Sequence, residues 1–142
     1  MGLGMPRSGP MDVQAFKAAN ILAGNHPETE SLEIVTLPGV GCKFIFHVPC
    51  VVAVTGKAIT VKINRERVPM WACLAIPAKG TLEIGGEASN GFRVYLAIRG
   101  GFPEVPRYLG SKSTSMGLGG YQVGRRFHSF RSRYSLCRRE ER

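Results

Sequence analysis

Arg7, Ser8 and Asp12 fall within the segment Arg7-Ser8-Gly9-Pro10-Met11-Asp12, which looks like a site-building loop, and supply a guanidinium, a hydroxyl and a carboxylate. A guanidinium grips a carboxylate or carbonyl oxygen in a forked geometry, and a serine hydroxyl can donate to the same oxygen. The carboxylate of Asp12 is a candidate base. Its competing role is to cap a helix, where backbone donors hold a carboxylate ionised and so make it a weak base. Asn25 adds a neutral amide, and Ser111, Ser113 and Thr114 add hydroxyls in the polar loop Leu109-Gly110-Ser111-Lys112-Ser113-Thr114-Ser115. That loop lacks the Gly-x-x-x-x-Gly-Lys-Ser/Thr spacing of a nucleotide P-loop, so it gives no indication of phosphate binding.

These groups need a frame. Pro10 fixes its own φ and Gly9 is free to adopt angles other residues avoid, so the turn before Asp12 can hold one reproducible shape. Behind it Val13, Phe16, Ala19 and Ala23 recur at helical spacing, and Gly24-Asn25 is a suitable stop. The pattern then changes to short strands, predicted at 31–36, 42–48, 50–55, 58–63, 70–76, 81–84 and 92–99. Pro38-Gly39, Gly56, Asn64-Arg65, Lys79-Gly80, Gly85-Gly86 and Asn90-Gly91 are among the turns that separate them. Strands at this rhythm argue for a sandwich or barrel. Ile59, Val61 and Ile63 alternate onto one face, whereas Val51-Val52-Ala53-Val54 is apolar on both and suits a central strand. Trp71 is expected to anchor the core, with a place lining a substrate as the lesser alternative.

With 142 residues, 44% of them hydrophobic, the chain can form one domain with a real core. No apolar run approaches the roughly 20 residues that span a bilayer. The N-terminus has no secretory pattern, so a cytoplasmic location is expected. Cys42, Cys50, Cys73 and Cys137 are scattered, with no Cys-x-x-Cys pair, and are read as reduced thiols; His26, His47 and His128 show no ligand spacing, so no metal is expected. Of the net charge of +9, residues 125–142 supply five through seven arginines against two glutamates. Arginines interleaved with Phe127, Phe130 and Tyr134 suit an RNA or an acidic surface. Short Arg- and Ser-rich ends are more often solvated and disordered, and residues 123–142 are expected to be so.

Pro6-Arg7-Ser8-Gly9-Pro10-Met11-Asp12, Ala19-Asn20, Gly24-Asn25 and Leu32-Glu33-Ile34 resemble the opening of a known family. It is the carboxyltransferase-domain family of urea carboxylase and urea amidolyase, which also holds the second subunit of allophanate hydrolase and one subunit of bacterial 5-oxoprolinase. Thr55-Gly56, Val68-Pro69 with Trp71, Arg93 with Tyr95-Leu96, Gly100-Gly101-Phe102 and Leu109-Gly110-Ser111-Lys112-Ser113-Thr114 continue the resemblance in order, through Gly119-Gly120-Tyr121-Gln122. It looks most like a fungal urea amidolyase. After Gln122 the resemblance stops, and the tail reads as the product of an unspliced intron or a frame change. Residues 1–122 are accordingly expected to be the N-terminal part of a carboxyltransferase domain.

The resemblance implies a mainly β fold with one short N-terminal helix, a cyclophilin-like β-barrel, here incomplete. It implies transfer of a carboxyl group from carboxybiotin to urea, giving allophanate. Biotin would be carried on another domain and ATP used by another. The implied partners are biotin carboxylase and biotin carrier domains and the other half of the carboxyltransferase domain, without which the fragment is expected to be inactive. Two alternatives stand beside this: a protein like the 5-oxoprolinase or allophanate hydrolase subunits that acts by binding partners, and an RNA-binding protein acting through its basic tail.

Overall fold

The computed structural model describes residues 9–86, 93–103 and 105, together with the backbone of 134–137. Nine strands and one helix are present among them. The helix, α1 (Val13–Ala23), begins where the Asp12 carboxylate accepts from the Ala15 N–H at 3.0 Å. It ends at Gly24, whose φ of 86° closes it in the left-handed region. There the N–H of Gly24 donates to the Ile21 carbonyl and that of Asn25 to the Asn20 carbonyl, the paired bonds of a Schellman motif.

The strands are β1 (Leu32–Val35), β2 (Gly41–Phe46), β3 (Cys50–Gly56), β4 (Val61–Ile63), β5 (Glu66–Val68), β6 (Leu74–Ile76), β7 (Thr81–Gly85), β8 (Arg93–Ile98) and β9 (Tyr134–Cys137). They form two antiparallel sheets, one ordered β1-β8-β3-β6 and the other β5-β4-β7-β2-β9. The mainly β expectation holds, and among the described residues the two sheets do not close into a barrel.

The alternation of side chains along β3 and β8 builds three layers. Val52 and Val54 on β3, with Val94, Leu96 and Ile98 on β8, enter a cluster with Phe44, Phe46, Val61, Leu82 and Ile84 of the second sheet. The intervening Ala53, Tyr95 and Ala97 point the other way, onto α1. Both strands are therefore buried on two faces, as the unbroken run Val51-Val52-Ala53-Val54 implies. The helix meets this sheet through Ala15, Ala19 and Ala23, spaced by four, and these small side chains let it lie close. Val13, placed on the buried face by its spacing, is half exposed instead. Its neighbour two residues on, Ala15, is the one the sheet covers.

Several strands differ from the sequence expectation. β4 and β6 are shorter than predicted, and β5 was not among the expected strands. It forms because Asn64 and Arg65, at φ 49° and 68°, make the tight primed turn that folds it back on β4. β9 lies within the tail expected to be disordered, yet its backbone pairs with β2 from Lys43↔Cys137 to Phe46↔Tyr134. The rest of residues 123–142 lies outside the described residues. Among the described residues, Cys42, Cys50 and Cys73 are in no disulfide. Among the described residues no helix is long and apolar enough to cross a membrane.

Candidate functional site

Antiparallel register places Glu33 of β1, Tyr95 of β8 and Thr55 of β3 side by side across the first sheet. The row runs beneath the start of α1. Thr55 Oγ1 donates to the Ala15 carbonyl at 2.6 Å, fastening the helix to the central strand. Tyr95 accepts from the Asp12 N–H at 2.8 Å and donates its hydroxyl to Glu33 Oε2, also at 2.8 Å. The same Oε2 accepts from the Met11 N–H at 2.8 Å. On the other oxygen, Glu33 Oε1 accepts from Arg93 Nη1 at 2.7 Å. Two consecutive backbone amides, just after the Arg-Ser-Gly-Pro turn, are thus tied to one glutamate and its tyrosine partner.

Tyr95 is fully buried and its ring meets Phe16 edge to face at 6.3 Å. Burial foremost, with the hydrogen bond to Glu33 acting the same way, pushes its phenol up to about 12, against the pull of the Asp12 N–H. The folded state therefore holds the phenolic proton more tightly than an unfolded chain, in which it leaves near pH 10. The stability this proton confers is complete below pH 10 and is lost as pH rises from 10 to about 12. Denaturant midpoints measured from pH 9 to 12 are expected to fall across this window in the native chain. In Tyr95→Phe the part of the fall due to this proton is absent.

Asp12 is exposed, and its Oδ1 is engaged in capping α1. Asn25, named as a substrate-binding candidate, is engaged in architecture. Its Nδ2 donates to Ile98 O at 2.9 Å and to Asn20 Oδ1 at 3.2 Å, while its Oδ1 accepts from Gly100 N–H at 2.9 Å. Asn20 behind it is fully buried and donates to the carbonyl of Thr29 at 2.6 Å, with longer contacts to those of Pro27 and Phe16. Arg99 Nε caps the helix carbonyl of Ala23 at 2.9 Å. Arg7, Ser8, Ser111, Ser113 and Thr114 lie outside the described residues.

Trp71 departs from the expectation of a core anchor. It is half exposed, its φ is 57°, and its N–H donates to Val54 O at 2.8 Å. A bulky side chain in the left-handed region is an outlier of the kind that collects at functional positions. Because so much of the ring is already in water, Trp71→Ala is expected to cost less than about 1.5 kcal/mol in thermal or denaturant unfolding. Truncating a buried tryptophan costs about 3–5 kcal/mol. A loss in that higher range would restore the core role.

Glu33, Arg93 and Tyr95 stand in the sequence motifs, yet the sequence alone assigns them no task. The available signal was the polar set Arg93 and Tyr95 at a spacing of two in an otherwise apolar strand. What it lacked was the pairing of β8 with β1, which brings together Glu33 and Tyr95 from 62 positions apart.

Residues 3–131 match the family of the carboxyltransferase domain, subdomain A and B. The match extends past Gln122, where the resemblance was expected to stop. A protein of Emericella nidulans described as a urea carboxylase is 43% identical over 124 residues, covering 86% of this chain. A 5-oxoprolinase subunit of Escherichia coli K12 is 31% identical over 122 residues, covering 84% of this chain and 37% of its own. The crystal structure of the K. lactis urea amidolyase superposes with a TM-score of 0.69 at 37% identity, covering 78% of this chain and 6% of that one. The chain spans 10% of the length of the E. nidulans relative. With a family match across most of its length and a matching two-sheet fold, this chain belongs to the family of carboxyltransferase domains with subdomains A and B.

Proposed function

We propose that this chain supplies part of the carboxyltransferase domain of a urea carboxylase or urea amidolyase, in which a carboxyl group passes from carboxybiotin to urea. The observation that carries the choice of urea is the difference in likeness over nearly the same span. Identity is 43% to the urea carboxylase relative and 31% to the 5-oxoprolinase relative.

In this reading carboxybiotin is a co-substrate delivered on a carrier domain, and ATP is consumed on a biotin carboxylase domain. The transfer would break the bond between the carboxyl carbon and the biotin nitrogen and form one to a urea nitrogen, whose proton passes to the biotin nitrogen. It needs donors on the urea oxygen and the exclusion of water. Arg7 and Ser8 hold that oxygen, with Ser111, Ser113 and Thr114 as neutral donors. In the sequence Arg7 and Ser8 stand just before Met11 and Asp12, whose amides Glu33 and Tyr95 hold. Asp12, whose Oδ1 is engaged with the Ala15 N–H, contributes by fixing the start of α1. Asn25 serves through the frame, joining the end of α1 to the turn after β8.

The experiment places residues 1–122 of this chain in the corresponding segment of a full-length urea amidolyase and measures ADP release. Urea-dependent release is expected, with none in response to 5-oxoproline. Stimulation by 5-oxoproline and not by urea would transfer the chain to the alternative, partner-dependent role. The isolated 142-residue chain, given biotin and urea, is expected to show no turnover.

A further inference from the structure

Glu33 accepts from three groups that come from two other parts of the chain. Its Oε1 receives Arg93 Nη1 at 2.7 Å; its Oε2 receives both the Met11 N–H and the Tyr95 hydroxyl at 2.8 Å. Tyr95 passes the constraint on, since its oxygen accepts the Asp12 N–H at 2.8 Å. The glutamate side chain retains about 29% exposure and Arg93 about 27%, so the carboxylate has one side toward solvent and one toward the buried tyrosine. Hydrogen bonds between charged partners are shorter and stronger than those between neutral groups, and the 2.7 Å bond from Arg93 fits that class.

The anchored amides are not in regular structure. Met11 and Asp12 precede α1, Met11 is 71% exposed, and among the described residues no strand pairs with them. Their backbone course is set by side chains. Asp12 also caps the helix, so the two bonds fix the helix start and the turn before it with respect to β1 and β8. A core requirement alone would be met by an apolar residue at position 33 of this edge strand; a charged acceptor there, with an arginine directing its first oxygen and freeing the second, has the form of a positioning device.

We propose that Glu33 is a positioning residue: held by Arg93, its carboxylate sets the backbone of Met11 and Asp12, directly and through Tyr95, and so the start of α1 and the Gly9-Pro10 turn before it, which in sequence follow Arg7 and Ser8. The catalytic half of this inference rests on the urea carboxyl-transfer reading above; the anchoring half does not. Small displacements of positioning groups lower the chemical step far more than they weaken binding, because the reacting atoms lose their alignment.

The test measures backbone amide exchange in the full 142-residue chain and kinetics in the urea amidolyase that carries this segment. Glu33→Ala is expected to speed exchange at both Met11 and Asp12 at least tenfold, whereas Tyr95→Phe speeds it at Asp12 and spares Met11. Glu33→Gln, which keeps an acceptor oxygen, restores most of the protection at Met11. Core amides such as that of Leu96 stay protected. In the enzyme, Glu33→Ala lowers urea-dependent kcat at least tenfold with less than a threefold change in the KM for urea, and ADP release driven by free biotin alone is unchanged.

Unchanged exchange at Met11 and Asp12 in a folded Glu33→Ala protein overturns the proposal, as does faster exchange with kcat intact. Should Glu33→Ala lose core protection, Tyr95→Phe and Glu33→Gln decide: equal exchange at Met11 and Asp12 in both variants and the native chain counts against it. If the enzyme with the unaltered segment responds to no urea, the urea reading fails, and the anchoring stands or falls on the exchange pattern.

Discussion

Gly56→Ala is expected to destabilise the domain by roughly 3–5 kcal/mol. Gly56 ends β3 at φ 112°, a region that alanine adopts only under strain. A Cβ there would stand 2.5 Å from the Arg93 carbonyl oxygen and 2.9 Å from Val94 Cα. Both are backbone atoms of β8, and Gly56 pairs with Val94 in that ladder, so no side chain can swing aside to relieve the contact. The two strands would have to separate at the row that holds Thr55 and Tyr95. Gly39 provides the control, because its φ of 74° carries the same kind of strain but a Cβ would meet nothing within 4 Å. Gly39→Ala should cost about 1 kcal/mol. Denaturant unfolding of both variants checks the pair, and a Gly56→Ala cost equal to that of Gly39→Ala would show that β8 yields.

Asn20→Ala is expected to cost about 3 kcal/mol, the second large effect. The side chain is completely buried and links the middle of α1 to the loop that leads to β1. Removing it leaves the Thr29 carbonyl without its 2.6 Å donor and takes the acceptor at 3.2 Å from Asn25. A buried polar group deprived of its partner pays its desolvation without return, which is why the loss exceeds the worth of one hydrogen bond. The thermal midpoint of the full chain measures it. A shift no larger than that of an exposed helix substitution such as Gln14→Ala would mean that water or local movement replaces the amide.

Both positions belong to short motifs on which the family resemblance rests, Thr55-Gly56 and Ala19-Asn20, and both turn out to serve architecture. The rhythm of apolar residues and turns made most strands legible, because alternation along a strand directly reflects which face is covered. The same periodicity misplaced Val13, since helical spacing alone cannot choose between the faces led by Val13 and Ala15. Trp71 was misread for a different reason: ring size predicts burial on average, whereas here the backbone bond to Val54 and a positive φ set the residue's course. The Glu33, Tyr95 and Asp12 junction was not legible, because it depends on the register of strands distant in sequence. Asn25 was legible as important but not as a fastener, since an asparagine after a helix has the same sequence appearance in either role.

Carboxyl transfer to urea within a larger enzyme is the role proposed for this segment, and its most direct test follows the carbon itself. Urea amidolyase carrying residues 1–122 of this chain is supplied with ATP, 13C-bicarbonate and urea, with its allophanate-hydrolysing activity disabled, and the product is observed by 13C NMR. The expected result is a labelled allophanate carboxyl signal that requires urea and disappears when the biotin carrier is left unbiotinylated. ATP consumption and carrier carboxylation without any labelled allophanate, in a chimera whose thermal unfolding matches that of the parent enzyme, would contradict that role.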